Sequence, residues 1–290
     1  MTTVRLATRG SALARWQANY IGNRITALHP DVTVELVVVS TEGDRQSEVP
    51  LSVLGGKGVF VKEVQAAVID GRADVAVHSA KDLPGVTPEA LVIAAVPERA
   101  DARDGLVGRS LGDIPSGGQV ATGSSRRAVQ LLALRPDLDI VGLRGNIETR
   151  VAKAKNHDAV VVAVAALARL GMADQLAEIF DPRAMVPQVG QGSLAVECRA
   201  DDQLVRALLV ELDDALSRHR FECERSFLVE LGGDCDLPAG AHATVDPAVP
   251  SDQLLLTAVL ADDRGLRRVE LRGSDGPALG ATAARTLSAP

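Results

Sequence analysis

Aromatic side chains are scarce in this 290-residue chain. They make up 2% of the sequence, with one Trp and one Tyr. Few side chains are therefore available to stack bases, which disfavours binding of single-stranded nucleic acid. The net charge of −7 also argues against general affinity for a phosphate backbone, although it does not exclude a local basic pocket. We expect no nucleic-acid partner.

Cysteine is also sparse. Cys198, Cys223 and Cys235 form an odd number without a CxxC pair, which disfavours a disulfide framework and indicates a reducing compartment. Their spacing does not suggest a metal site. The first ten residues lack the apolar core of a secretory signal, and no apolar run reaches membrane-spanning length. We expect a cytoplasmic protein with neither a metal nor a membrane contact.

Strand and helix signals alternate through the first part of the chain. A helix with apolar residues at helical spacing follows Ser11, which can cap it, and a second helix is predicted from about Gly58 to Asp70, with Gly71 as its stop. This order predicts an α/β unit with a largely parallel sheet. The predicted strands of this unit are VRLATR (4–9), VTVELVVVS (32–40), ADVAVHS (73–79) and LVIAAV (91–96).

The pattern restarts near Arg99 and changes at Ser217. Residues 99–216 repeat the α/β alternation, ending in strand SLAVECR (193–199) and a helix over 202–216. From Ser217 a helix is followed by three strand-like segments without intervening helices. We therefore predict an α/β protein with two similar units, an open cleft between them, and a small α+β C-terminal domain.

Cationic side chains collect where predicted strands end. In α/β sheets ligands bind outside the carboxyl ends of strands, beside helix N-termini that favour anions. Arginine suits carboxylates because its planar fork makes paired hydrogen bonds. Any one arginine could equally pair with a nearby acid, but the set predicts a site for a multiply anionic small molecule. The set consists of Arg9, Lys81, Arg126, Arg127, Arg144, Arg150 and Arg169.

Two further residues invite a chemical interpretation. Asp82, beside Lys81, should stay ionised in a cationic cleft and could face an N–H group or a developing cation; a helix cap or a salt bridge is the alternative. The stretch LGGDCDLPAG (231–240) places Cys235 between two aspartates in a glycine-rich turn. The residues alone favour an inert loop cysteine there. His78 fits a hydrogen-bonded core residue.

Nine segments taken together resemble the porphobilinogen deaminase (hydroxymethylbilane synthase) family, in order and over nearly the whole chain. Each is weak alone, but nine in register are very specific. They are TRGSALARWQA, STEGD, GGKGVFVKE, ADVAVHSAKDLP, SSRRAVQL, LRGNIETR, DAVVVAVAALARLG, VGQGSLAVECR and LGGDCDLPAG.

The resemblance implies a fold and an activity. It implies two domains like the halves of a periplasmic-type binding protein, covering residues 1–97 with 189–214 and residues 98–188, and a third domain over 215–290. The third would carry a dipyrromethane primer on Cys235 through a thioether, a bond that suits a soft sulfur nucleophile. Each porphobilinogen would lose ammonia to give an azafulvene that the primer attacks. Four additions and hydrolysis would then release hydroxymethylbilane, in a monomeric enzyme.

The resemblance also implies roles for individual residues. Asp82 matches the catalytic aspartate and holds pyrrole N–H groups. The primer-carboxylate ligands would be Lys81, Ser124, Arg126 and Arg127. The residues facing the incoming porphobilinogen would be Arg9, Ser11, Gln17, Arg144, Arg150 and Arg169.

Two departures and two rival functions bear on this interpretation. Asp234 replaces the usual Gly or Ser before the cysteine, and Gly123 removes a hydroxyl. A non-catalytic periplasmic-type binding protein for a multiply anionic small molecule would not explain Asp82 and Cys235 together, and it would normally carry an export signal. A nucleotide-dependent enzyme is disfavoured because GxxxxGK[ST] is missing.

Overall fold

The computed structural model describes residues 2–41, 61–233, 237–245 and 253–289. Within these ranges the chain forms two five-stranded sheets and one three-stranded sheet. The strands are β1 (Thr2–Arg9), β2 (Val32–Val39), β3 (Val75–Ser79), β4 (Leu91–Ala95), β5 (Asp104–Gly108), β6 (Gln119–Ala121), β7 (Asp139–Val141), β8 (Ala159–Ala163), β9 (Leu176–Ile179), β10 (Leu194–Arg199), β11 (Ala239–Val245), β12 (Leu254–Asp262) and β13 (Gly265–Gly273). The helices are α1 (Ala12–Leu28), α2 (Lys62–Ile69), α3 (Ser125–Leu134), α4 (Ile147–Lys153), α5 (Val164–Arg169), α6 (Gln203–Val210), α7 (Ala215–Glu230) and α8 (Gly276–Ser288).

The two five-stranded sheets share one topology. Their strand orders are β2-β1-β3-β10-β4 and β7-β6-β8-β5-β9. In each, one strand (β10 or β5) is antiparallel to both neighbours, while the other four run in one direction. Because β5 follows β4 and β10 follows β9, the chain crosses between the sheets twice, over residues 96–103 and 180–193. This is the layout of two periplasmic-binding-protein-like units with a cleft between them, as predicted.

Most predicted elements of the first unit are present. Ser11 caps α1, accepting a hydrogen bond from the Ala14 N–H at 3.3 Å. Ile21 and Ile25 of α1 are buried, whereas Trp16 is 37% exposed and so lies at the edge of the apolar face. Gly71 follows α2 with φ +72°, a conformation that favours glycine. The predicted start of that helix, at 58–60, lies outside the described residues.

One predicted element was wrong, and one element of the structure was not predicted. The helix predicted over 202–216 is two helices, because Asp213 accepts a hydrogen bond from the Val96 N–H (2.6 Å) and Asp214 caps α7 by accepting from the Ser217 N–H (2.8 Å). Strand β9 was not predicted. It is a short edge strand paired only with β5 among the described strands, and its LAEI sequence lacks a clear apolar run.

The C-terminal unit is an antiparallel meander, β11-β12-β13, packed against α7 and α8. Gly280 lets the two helices approach closely, because a β-carbon there would overlap the Cys223 carbonyl. Buried Phe227 of α7 packs into the same core as Leu256 of β12. No helix in the described part of the chain is long and apolar enough to cross a membrane.

Glu224 of α7 ties the C-terminal unit to both crossing segments. Its Oε1 accepts hydrogen bonds from Arg99 Nη1 (2.6 Å) and the Ala243 N–H (2.8 Å). Its Oε2 accepts from Arg99 Nη2 (3.0 Å) and the Gly190 N–H (2.8 Å). One buried carboxylate therefore fixes where the chain crosses between the two sheets.

Candidate active site

The predicted site residues lie at strand ends, as the sequence indicated. Lys81 and Asp82 occupy a 3₁₀ turn directly after β3. Ser124 caps α3 by accepting from the Arg127 N–H at 3.4 Å. We call the region between the two five-stranded sheets, bounded by these turns and by Arg150, the central cleft.

Arg126 and Arg127 are buried against Asp104, the first residue of β5. Asp104 Oδ2 lies 2.7 Å from Arg126 Nη2, and Oδ1 lies 2.7 Å from Arg127 Nη2. Burial alone would raise the pKa of Asp104, but the two guanidinium groups hold that pKa well below its usual range. The sequence placed both arginines at the cleft but missed this carboxylate.

Lys81 joins the same network through Gln191, a second residue that the sequence analysis missed. Lys81 Nζ donates to Gln191 Oε1 at 3.2 Å, and Gln191 Nε2 donates to Asp104 Oδ1 at 2.8 Å. Burial, followed by the nearby charge of Arg127, lowers the pKa of Lys81 to about 8. The VGQG segment was noted as a family motif, but nothing in the sequence indicated which side chains Gln191 would bridge.

Arg144 and Arg150 add positive charge on the side of β7. Arg150 Nε donates to the Gly145 carbonyl at 2.8 Å, and the Arg144 carbonyl accepts from Lys153 Nζ. Burial, followed by the charges of Arg127 and Arg144, lowers the pKa of Arg150 to about 10. The charge of Asp82 opposes this shift, which places the carboxylate within electrostatic reach of the arginine.

The other predicted substrate residues lie around α1 and α5. Gln17 is buried and donates to Ser79 Oγ at 2.8 Å. Arg169 Nη2 donates to the Gly192 carbonyl at 2.7 Å, and burial lowers the pKa of Arg169 to about 10. Arg9 ends β1, and the oxygen of Ser11 is engaged in capping α1. Arg9, Ser11 and Gln17 therefore lie on β1 and α1, while Arg169 reaches the second crossing segment next to Gln191.

The described cysteines are unsuited to nucleophilic chemistry. Cys198 and Cys223 are both free and buried. Burial raises the pKa of the Cys198 thiol to about 11 and that of Cys223 to about 12, so both stay protonated at neutral pH. Cys235 lies outside the described residues. His78 is a buried core residue, with Nε2 3.1 Å from Glu197 Oε2, as the sequence suggested.

The donor set of the cleft fits a dipyrromethane group. Besides burial, the charge of Arg127 lowers the pKa of Lys81, Arg126 and Arg150, so these cations lie close together, and each carries only N–H donors. Arg126 Nε is buried and has no hydrogen-bond partner among the described residues. Such a cluster needs further anions, and the acetate and propionate arms of a dipyrromethane supply them.

The fold and the site together define a class of protein: a two-unit α/β protein of the periplasmic-binding-protein kind whose cationic cleft contains a carboxylate. Among solved structures, the periplasmic aliphatic sulphonate binding protein SsuA from Escherichia coli aligns with 79% of this chain and 70% of its own, at 13% identity and a TM-score of 0.38.

Sequence comparison identifies the family within this class. Residues 4–207 match "Porphobilinogen deaminase, dipyromethane cofactor binding domain" and residues 219–289 match "Porphobilinogen deaminase, C-terminal domain". The chain is 44% identical over 285 residues to the porphobilinogen deaminase of Roseiflexus sp., covering 96% of this chain and 92% of the relative. It is 41% identical over 292 residues to that of Brevibacillus brevis, covering 98% and 94%.

The chain belongs to the porphobilinogen deaminase family. It is a transferase of tetrapyrrole biosynthesis that joins four porphobilinogen molecules, with loss of ammonia, onto a covalent dipyrromethane primer and releases hydroxymethylbilane. The alternative of a non-catalytic binding protein is not favoured.

Proposed function

We propose that the central cleft divides this reaction between two groups of residues. Lys81, Ser124, Arg126 and Arg127 hold the carboxylates of the primer. Lys81, Arg126 and Arg127 form one cationic network through Asp104 and Gln191, and Ser124 lies beside it at the cap of α3. That network is the observation that carries the proposal. When bound, the dipyrromethane supplies a nucleophilic ring carbon; the protein binds its anionic arms.

We propose that the second group orients the incoming porphobilinogen. N–H donors come from α1 (Gln17), from the segment after β7 (Arg144), from α4 (Arg150) and from α5 (Arg169). Arg9 and Ser11 flank the start of α1, where the free N–H groups of the helix favour an anion. Burial of Arg150 and Arg169 strengthens their pairing with a substrate carboxylate, because less water screens the charge.

Asp82 is proposed as the catalytic residue. Its carboxylate lies within electrostatic reach of Lys81 and Arg150, and its oxygens can accept hydrogen bonds from pyrrole N–H groups. As ammonia leaves porphobilinogen, the same charge faces the positive charge that develops on the ring. This carboxylate thereby opposes the repulsion that the surrounding arginines would impose on that cation.

Cys235 is proposed to bear the primer. Supporting this, Cys198 and Cys223 are buried with raised thiol pKa values, which leaves Cys235 as the reactive candidate. We further propose a monomeric cytoplasmic enzyme without a nucleic-acid partner, with domains at 1–97 plus 189–214, 98–188 and 215–290. Size-exclusion chromatography with light scattering tests the monomer.

Intact-protein mass spectrometry tests the assignment. The active protein should exceed its polypeptide mass by two porphobilinogens less two ammonias, and Cys235→Ser should give the bare mass because a hydroxyl is a far poorer nucleophile. Cys198→Ser should stay primed.

The arginine variants test the division of the cleft. Arg126→Gln or Arg127→Gln should give apo-protein, whereas Arg9→Gln or Arg169→Gln should keep the primer and elongate poorly. Primed, normally elongating protein from all four arginine variants would overturn the division.

A further inference from the structure

Asp104 makes more contacts with the proposed primer ligands than any other described acid. Its two oxygens accept from Arg126 Nη2 (2.7 Å), from Arg127 Nη2 and Nε (2.7 and 3.1 Å), and from Gln191 Nε2 (2.8 Å). The side chain is completely buried. With four donors on two oxygens, Asp104 has no free face to offer to a ligand.

The surrounding backbone holds Asp104 rigidly. It begins β5, a strand that pairs with β8 on one side and β9 on the other, and its own register partner is Ala163. Each arginine also donates to a main-chain carbonyl, Arg126 to Val186 and Arg127 to Val161. Every guanidinium is thus fixed at two points, one of which is the Asp104 carboxylate.

Gln191 extends this hold to the other five-stranded sheet. Its Nε2 donates to both Asp104 and the Ala102 carbonyl, while its Oε1 accepts from Lys81 Nζ. Gln191 belongs to the second crossing segment, and Lys81 follows β3 in the first sheet. The Asp104 carboxylate therefore contacts Arg126 and Arg127 directly and is linked through Gln191 to Lys81, on the other side of the central cleft.

We infer that Asp104 is a positioning residue for the primer site, holding Arg126 and Arg127 directly and Lys81 through Gln191 in one array. The inference rests on the proposed function of those three cations. Without the Asp104 charge, two guanidinium groups and an ammonium group would face one another in a buried space, and at least one would move away or lose its charge. The array would then no longer match the carboxylate arms of the primer.

A purely structural ion pair would act differently. It would lower the melting temperature and leave priming and its pH dependence unchanged. Asp104 raises the pKa of Lys81, which burial and Arg127 lower, so its removal should depress that pKa further. If Lys81 must be charged to bind a primer carboxylate, loss of Asp104 moves the alkaline limit of priming to lower pH.

The test compares Asp104→Asn with Asp137→Asn. Asp137 pairs with Arg135 at the same 2.7 Å, at the other end of α3 and near the surface, which makes it a matched control. Intact mass after expression gives the primed fraction, and apo-protein incubated with porphobilinogen across pH gives the alkaline limit of priming. We expect Asp104→Asn to reduce the primed fraction at least about tenfold, as for other buried pairs that lose one partner, and Asp137→Asn to resemble the parent.

Further variants distinguish the positioning role of Asp104 from the proposed function of Lys81, Arg126 and Arg127. If Asp104→Asn does not fold, Gln191→Met leaves both Asp104–arginine pairs in place, removes the hydrogen bonds of Gln191 to Lys81, Asp104 and Ala102, and should still shift the alkaline limit to lower pH. Lower melting temperatures with unchanged priming and pH limits in Asp104→Asn or Gln191→Met would overturn the inference. If Arg127→Gln loses its primer while Asp104→Asn keeps it, only the positioning role fails. If Arg127→Gln and Arg126→Gln stay primed, the proposed function itself fails.

Discussion

Arg169 lies over the ring of Trp16, with its guanidinium carbon 5.8 Å from the ring centroid. The two residues belong to different sheet units, since Arg169 ends α5 after β8 and Trp16 is on α1 after β1. Trp16 is itself stacked on Tyr20 with centroids 5.4 Å apart. A rigid aromatic pair on one unit therefore fixes a proposed substrate arginine of the other.

Replacing Trp16 by Leu should weaken porphobilinogen binding and leave the primer attached. A cation–π contact is worth about 0.5–2 kcal/mol, so the KM should rise by roughly 2- to 30-fold. Trp16→Phe should fall between the parent and Trp16→Leu. Tyr20→Phe preserves the stack and serves as the control. Steady-state kinetics with intact mass checks the prediction, and an unchanged KM in Trp16→Leu would contradict it.

Asp82→Asn should fold and stay nearly inactive, whereas Asp82→Glu should keep some activity. An amide offers only a dipole where the developing ring cation needs a charge, and that loss is worth about 3 kcal/mol, or roughly a hundredfold in rate. Single-turnover ammonia release measures the effect. Asp113→Asn, at the same position of the 3₁₀ turn Leu111–Asp113, is a matched control and should be normal. Near-normal release from Asp82→Asn would remove Asp82 from the mechanism.

The sequence predicted the two α/β units and the strand-end cations because those features are local. Periodicity marks strands and helices, and cap residues such as Ser11 and Ser124 sit next to the helices that they start. The sequence could not predict that Asp104 is the acid that pairs with Arg126. Asp104 lies 22 residues from Arg126 and 87 from Gln191, and no short spacing encodes those contacts.

The break between α6 and α7 escaped prediction for the same reason. The sequence over 202–216 is apolar at helical spacing throughout. The helix ends because Asp213 bonds to the main chain of Val96, which is 117 residues away. Tertiary pairing overrides local propensity there.

Glu224→Gln should lower the free energy of unfolding at neutral pH, with the difference from the parent shrinking in acid. Burial would raise the pKa of Glu224, but Arg99 and His242 lower it from 4.5 to about 2. A depressed carboxyl pKa stabilises the fold above pH 4.5, and this contribution is lost as the pH falls towards 2. The contribution is about 3 kcal/mol, at 1.36 kcal/mol per pH unit.

Urea unfolding of parent and variant between pH 7 and pH 2.5 measures this dependence. Glu222→Gln is the control on the same helix, since the Glu222 side chain is 44% exposed and lies 3.5 Å from Arg218. A surface pair of that kind contributes about 0–1 kcal/mol. A Glu224→Gln difference that stayed constant from pH 7 to 2.5 would show that the charge of Glu224 does not supply the stability.

Gly85→Ala should reduce turnover more than it reduces stability. Gly85 follows the turn that carries Asp82, and it contacts the C-terminal end of α7. Its N–H donates to the Gly233 carbonyl at 3.4 Å, and a β-carbon at position 85 would lie 3.1 Å from both Gly233 Cα and Val229 Cγ2. Gly233 precedes Cys235 by two residues in the sequence, and Asp82 precedes Gly85 by three.

Overpacking by a methyl group at position 85 typically costs about 1–3 kcal/mol. Gly85 is buried and follows the turn that carries Asp82, so we expect the strain to displace this turn and lower kcat several-fold, with a smaller effect on the melting temperature. Gly112→Ala is the matched control, since a β-carbon there meets no atom within 4 Å. Steady-state kinetics and melting curves of Gly85→Ala and Gly112→Ala test this prediction. Equal kcat values for the two variants would mean that the Gly85–Gly233 contact does not position the turn that carries Asp82.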